Sequence, residues 1–161
     1  IAVNLSAVQL RDMNLVHDIQ KALRHFQVPS SQLELEITET AAMSDPEFAK
    51  EQLAAIKEVG ISLAMDDFGT GYSSLSYLAS LPVERVKIDR SFVNNIQHSN
   101  EARAIIESII HLGKILNKTV IAEGVEATEQ LQLLKNLGCH EAQGYLISKP
   151  VSSDNFITLL D

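Results

Sequence analysis

The 161-residue chain contains a single cysteine, Cys139. One cysteine builds neither a disulfide framework nor a thiolate zinc site, and it fits a reducing, cytoplasmic setting. Basic residues are also scarce: 13 Lys and Arg stand against 21 Asp and Glu, a formal net charge of −8. That balance argues against a basic surface for duplex DNA or RNA. No apolar run nears the roughly 20 residues that cross a bilayer as a helix. The N-terminus, Ile1-Ala2-Val3-Asn4, carries neither an initiator Met nor a signal-peptide pattern. It reads as the middle of a strand, so the chain is expected to come from something longer. What is present is a globular composition, 45% hydrophobic and free of low-complexity tracts. It suffices for one domain with a real core. The acidic excess either solvates a surface or gathers carboxylates around divalent cations that recruit an anionic substrate.

Short β-rich runs alternate with helical periodicity. Strands are expected at Ile1–Leu5, Gln32–Thr38, Ile61–Asp66, Arg85–Asp89, Thr119–Glu123 and about Glu141–Tyr145. Helices are expected near 12–26, 46–59, 73–80, 100–117, 127–137 and 153–160. In the clearest helix, Ala102, Ile105, Ile106, Ile109, Ile110 and Leu112 share one face. Asp45-Pro46 opens the second helix, Gly60 closes it, and Gly138 follows the fifth. Such alternation implies an α/β fold with a parallel sheet covered by helices. Six strands could form a doubly wound sheet or three quarters of a (β/α)8 barrel, and periodicity does not separate the two. No Gly-x-Gly-x-x-Gly turn follows a strand, which disfavours a dinucleotide-binding sheet.

The polar residues near the strand ends carry more information. Asn4 closes the first strand, Glu36 sits between Leu35 and Ile37, and Asp66 and Asp67 end the third. Lys87 lies between Val86 and Ile88, Glu123 ends the fifth strand, and Gln143 lies on the sixth. In a barrel the carboxyl ends of the strands converge on one mouth. Asn, Glu and Asp offer hard oxygen ligands suited to Mg2+ or Mn2+. Adjacent Asp66 and Asp67 would repel unless cations lay between them, and an inward ammonium at Lys87 needs carboxylates or phosphate nearby. Each residue alone has a plainer role: a turn former at Asn4, an exposed Glu36, a loop at Asp66-Asp67, a snorkelling Lys87. Seven together at strand ends favour a single site with the chemistry of two-metal phosphodiester hydrolysis. The five histidines, His17, His25, His98, His111 and His140, fall on helices or connections and suit surface roles. Cys139 suits packing as a small apolar residue.

In order, Val3-Asn4-Leu5-Ser6, Leu33-Glu34-Leu35-Glu36-Ile37-Thr38-Glu39, Asp66-Asp67-Phe68-Gly69-Thr70-Gly71-Tyr72-Ser73-Ser74-Leu75, Val86-Lys87-Ile88-Asp89-Arg90-Ser91-Phe92-Val93, Ala122-Glu123-Gly124-Val125-Glu126 and Gln143-Gly144-Tyr145 resemble the EAL family of cyclic di-GMP phosphodiesterases. The resemblance implies a TIM-type (β/α)8 barrel, here incomplete with about six of eight strands: residues 1–161 would be the C-terminal two thirds of the domain. Asn4, Glu36 and Asp66 would bind a first cation, with Asp66 and Asp67 reaching a second. Lys87 would position water or stabilise charge on the phosphate. Glu123 would activate that water or hold it on a cation, supported by Gln143. The loop through Phe68, Gly69, Thr70, Gly71 and Tyr72 would couple substrate to dimerisation, held by Glu39. Asp89, Lys149 and Pro150 would contact substrate.

The implied reaction opens cyclic di-GMP to linear pGpG. The implied partners are a second copy and fused sensor or GGDEF-type domains, which could attach the protein to the cytoplasmic side of a membrane. The family's Glu-Ala-Leu tripeptide and nearby Arg do not occur in these residues, and the resemblance places them before Ile1. The 161 residues alone are therefore expected to be nearly inactive and to associate. A silent cyclic di-GMP receptor, a dimerisation scaffold and another Mg2+-dependent barrel hydrolase are the rival readings.

Overall fold

A computed structural model describes residues 1–71 and 75–157. Its six strands are β1 (Ala2–Leu5), β2 (Glu34–Thr38), β3 (Ser62–Phe68), β4 (Arg85–Ile88), β5 (Thr119–Ala122) and β6 (Glu141–Ala142). They form one parallel sheet in sequential order, β1 to β6. Nine helices are described: α1 (Ala7–Leu10), α2 (Leu15–Phe26), α3 (Glu39–Met43), α4 (Pro46–Glu58), α5 (Leu75–Ser80), α6 (Arg90–Asn95), α7 (Asn100–Ile115), α8 (Thr128–Leu137) and α9 (Ser153–Phe156). None of the described helices is long and apolar enough to cross a membrane.

Strand order and burial resolve the alternative that periodicity left open. A doubly wound sheet reverses its strand order and covers both faces with helices, so its strands are apolar throughout. Here order never reverses, and right-handed crossovers then leave every helix on the same side. One face is apolar at every position, whereas the other mixes Ala64 and Ile121 with charged side chains. Leu35, Ile37, Leu63, Met65, Val86, Ile88, Val120 and Ala122 pack with Leu53, Ile56, Ile106, Ile110 and Leu134 of the helices. Each of the Val, Leu, Ile and Met side chains contributes about 1.5–3 kcal/mol on burial. The alternate positions, which face the other way, include Glu34, Glu36, Asp66, Arg85, Lys87 and Glu123. The result is an open, incomplete barrel, apolar outside and charged within.

Caps set the helices as expected. Asp45 accepts from the Phe48 N–H ahead of Pro46, and Gly138 ends α8 in the left-handed region. The helix face chosen for α7 is the buried one. Three helices carry no sequence signal: α1, α3 and α6 are too short to display a 3.6-residue period. Each starts beside a strand end, capped by Ser6, Thr38 and Asp89 respectively. The helix expected near 12–26 begins at Leu15. Strand β6 stops at Ala142, well short of Tyr145, because residues 144–148 turn back through Ile147 and Ser148 N–H bonds to the Gly144 carbonyl.

One buried charge serves the fold. Lys118, 8% exposed, donates to the carbonyls of Leu81 (3.3 Å) and Val83 (2.7 Å), tying β5 to the end of α5. Burial lowers its pKa below the ordinary 10.5. Between that lowered value and 10.5, the unfolded chain holds the proton and the folded chain does not, so this group's contribution to stability rises with pH there. Lys118→Met is expected to cost about 1–3 kcal/mol near neutrality. The gap to wild type should widen between about pH 8 and about pH 10. Urea titrations at both pH values check this, and a constant gap would contradict it.

Candidate active site

Consecutive residues on a regular strand point to opposite faces, so Asp66 and Asp67 should diverge. A bulge prevents it. The β3–β4 register shifts between Met65 and Phe68, and Asp67 adopts φ 52°. Aspartate tolerates this left-handed conformation better than most residues, and the Asp67 N–H donates to Asp66 Oδ1 at 3.0 Å. The extra residue returns Phe68 to the helix-facing core, 7% exposed, while both carboxylates stay at the mouth.

Carboxylate oxygens of Asp66, Asp67 and Glu123 lie within 4.8 Å of one another. Desolvation, then the charges of Asp66 and Asp89, then hydrogen bonding with Asp89 push the Asp67 pKa up, against a smaller opposing effect of Lys87. Desolvation also raises Glu123, although Lys87 offsets part of this. Crowded hard oxygens that resist joint ionisation fit a divalent cation, which relieves that repulsion.

Lys87 stands at the centre. It is 2% exposed, and its Nζ lies 2.6 Å from Glu36 Oε1, 2.7 Å from Glu123 Oε1 and 3.4 Å from Asp66 Oδ1. Burial works against its charge, but hydrogen bonds to Glu123 and Glu36 and the nearby carboxylates prevail and raise its pKa. The lysine thus stays an ammonium at every physiological pH. Glu36 points to this ammonium, and the exposed Asn4 stands opposite it in register on β1. Gln143 lines a cavity of about 390 Å3 together with Glu36 and Lys87.

The flanking residues occupy the same rim. Asp89 caps α6 through the Ser91 N–H (3.0 Å) and hydroxyl. Glu39, 2% exposed, accepts from the N–H groups of Gly69 (3.1 Å) and Gly71 (3.2 Å). A Cβ on Gly71 would stand 2.7 Å from Glu39 Oε1 and would push that carboxylate away from its two N–H donors. Thr70 closes back through its hydroxyl onto the Asp67 carbonyl at 2.8 Å. Tyr72 lies outside the described residues. Lys149 and Pro150 line a second concavity of about 520 Å3 that shares Gln143, Gly144 and Ser148 with the first.

Two features escaped the sequence reading. Gln130 is buried and links Glu126 and Ala127 N–H groups to the Val93 carbonyl, pinning the loop after Glu123 to α6. Arg85 also faces inward, and the alternation that turns Lys87 inward applies equally two residues earlier. His140 accepts the Val120 N–H at 3.0 Å, a structural role at the sheet's end. Cys139 packs against the core, and burial pushes its thiol pKa up.

A family model described as "EAL domain" matches residues 1–150. The bifunctional diguanylate cyclase/cyclic di-GMP phosphodiesterase MucR of Pseudomonas aeruginosa is 41% identical over 157 residues, covering 98% of this chain and 23% of that protein. The structure of the PaMucR phosphodiesterase in complex with c-di-GMP is 42% identical with a TM-score of 0.94, covering 97% of this chain and 63% of that one. A manganese and cyclic di-GMP complex of BlrP1 from Klebsiella pneumoniae gives a TM-score of 0.85 at 33% identity, covering 92% of this chain and 38% of that one. The chain spans about a fifth of the length of the curated relatives it matches.

Proposed function

Because this chain belongs to the EAL domain family, we propose that it supplies most of the active site of a cyclic di-GMP phosphodiesterase producing linear pGpG. The observation that carries the reading is a buried Lys87 ion-paired with Glu36, Asp66 and Glu123, beside the convergent oxygens of Asp66, Asp67 and Glu123.

In this reading Asn4, Glu36, Asp66 and Asp67 would hold Mg2+ or Mn2+. Two such cations would neutralise the scissile phosphate and acidify a water. Lys87 donates to the developing negative charge, having three N–H donors and strong anchoring on two carboxylates. Glu123 takes the water's proton, and its raised pKa makes it a better base than a free carboxylate. Gln143 orients the same cluster. Asp89, Lys149 and Pro150 hold the dinucleotide, with Lys149 and Pro150 in the adjoining concavity. Glu39 fixes the loop through Gly69 and Gly71, and that loop couples the site to a second copy of the domain.

We further place residues 1–161 as the C-terminal two thirds of the complete barrel, fused to sensor or GGDEF-type domains in a homodimer. The unclosed sheet and the longer PaMucR phosphodiesterase chain support this. The chain alone, with β1 and β6 as open edges, is expected to turn over little substrate.

Incubating the parent domain with cyclic di-GMP and Mn2+, with chromatography of the products, tests the reading. Accumulation of pGpG that stops on chelation is expected. Binding by calorimetry without cleavage would instead identify a receptor, and cleavage confined to phosphomonoesters would point to a different hydrolase.

A further inference from the structure

Beneath the site the inner face of the sheet carries a second layer of charge. Arg85 precedes Lys87 by two residues on β4, Glu34 precedes Glu36 by two on β2, and Glu141 precedes Gln143 by two at β6. Arg85 Nε lies 3.2 Å from Glu34 Oε2, and its Nη2 donates to Glu141 Oε2. The Nε–H is buried without an aligned hydrogen bond, so Glu34 acts on it by charge, whereas Glu141 accepts directly.

These strands are not neighbours. Strand β3 separates β2 from β4, and β5 separates β4 from β6. The side chain at Arg85's own register position on β3 is Ala64, small enough to leave the crossing open. Backbone ladders fix the spacing of adjacent strands but leave the twist and curvature of a sheet adjustable over tens of degrees. A guanidinium reaching carboxylates on next-nearest strands acts as a chord across that curve. The Arg85 guanidinium holds a directed N–H on Glu141 while its Nε side faces the charge of Glu34, a span that the compact ammonium of a lysine does not cover.

We propose that Arg85 is a positioning residue: by bridging Glu34 and Glu141 it sets the curvature that holds Glu36, Lys87 and Gln143 at their working separation. The activity arm of this inference rests on the phosphodiesterase reading, and the cation arm stands apart from it.

The test compares Arg85→Met, Arg85→Lys and the paired Glu34→Gln/Glu141→Gln variant in the parent domain. It measures kcat and KM for cyclic di-GMP, Mn2+ affinity by calorimetry, and thermal unfolding. Arg85→Met and Arg85→Lys should each lower kcat by about 10- to 100-fold with KM nearly unchanged. Both should weaken Mn2+ binding by about tenfold. Adding Arg85→Met to the paired variant should cost no further kcat, because the bridge is already lost.

A variant that unfolds earlier yet keeps wild-type kcat and Mn2+ affinity would reduce Arg85 to a structural role and overturn the proposal. Full recovery with Arg85→Lys would overturn it too, since charge alone would suffice. If Arg85→Met fails to fold, the isosteric paired variant carries the same expected losses. If the wild type binds Mn2+ without cleaving cyclic di-GMP, the phosphodiesterase reading fails while Mn2+ affinity still decides the role of Arg85.

Discussion

Lys87→Met is expected to lower cyclic di-GMP hydrolysis in the parent domain by about 100- to 1000-fold, the usual cost of removing a donor aimed at developing charge. It should also cost about 3–5 kcal/mol of stability in cation-free buffer, as when one partner of a buried ion pair is removed. The reason is visible in the exposures: the Lys87 side chain is 3% exposed, and those of Glu36, Asp66 and Glu123 are 11%, 13% and 19%. Methionine fills the space but leaves three sheltered carboxylates without their cation. Mn2+ can then take over part of that duty, so the variant's unfolding midpoint should climb more steeply with added Mn2+ than the wild type's. Kinetics and calorimetric melts with and without Mn2+ check both claims. Equal melting curves in the absence of cation, or a wild-type kcat, would remove Lys87 from the centre of the site.

Gly144→Ala should do comparable damage by steric means alone. A Cβ at this position would overlap the backbone N and O of Val125. That backbone cannot retreat cheaply. The Val125 N–H donates to the Gln143 carbonyl at 3.0 Å, the Leu146 N–H to the Val125 carbonyl at 3.0 Å, and the Gln143 N–H to the Ala122 carbonyl at 2.8 Å. Overpacking and one or two strained hydrogen bonds together suggest a loss of about 2–4 kcal/mol. Glu123 and Gln143 flank the collision, and displacement of about 1 Å there is enough for roughly a 100-fold fall in kcat. A Gly144→Ala protein with wild-type melting and turnover would show that the turn after β6 yields more readily than these contacts imply.

Gly144 also shows why some of the site was legible in the sequence and some was not. The strand-end carboxylates and Lys87 could be read because strand alternation and barrel geometry turn sequence position into direction. Such reasoning treats strands as regular, so it could not foresee how Asp66 and Asp67 share one face, which depends on a backbone irregularity. It also missed α3 and α6, whose starts are set by Thr38 and Asp89 rather than by periodicity. The pairing of Glu36 with Lys87 was within reach from alternation, whereas the link from Gln130 to Val93 joins residues 37 apart in sequence and depends on loop packing. Periodicity did not separate a doubly wound sheet from a barrel; the motif resemblance implied the barrel, and the strand order bears it out.

The bulge at Asp67 has a consequence for residue number as much as for residue type. Side-chain direction in a strand follows parity, and β3 carries one odd residue between Met65 and Phe68. A substitution at Asp67 would alter the chemistry of the mouth and leave that parity alone. Deleting Asp67 would yield a regular strand that keeps Phe68 opposite Ile88 in the helix layer, but the mouth would retain one carboxylate from this strand where it now has two. The added residue thus lets one strand present two neighbouring carboxylates to the mouth without moving any of its apolar side chains.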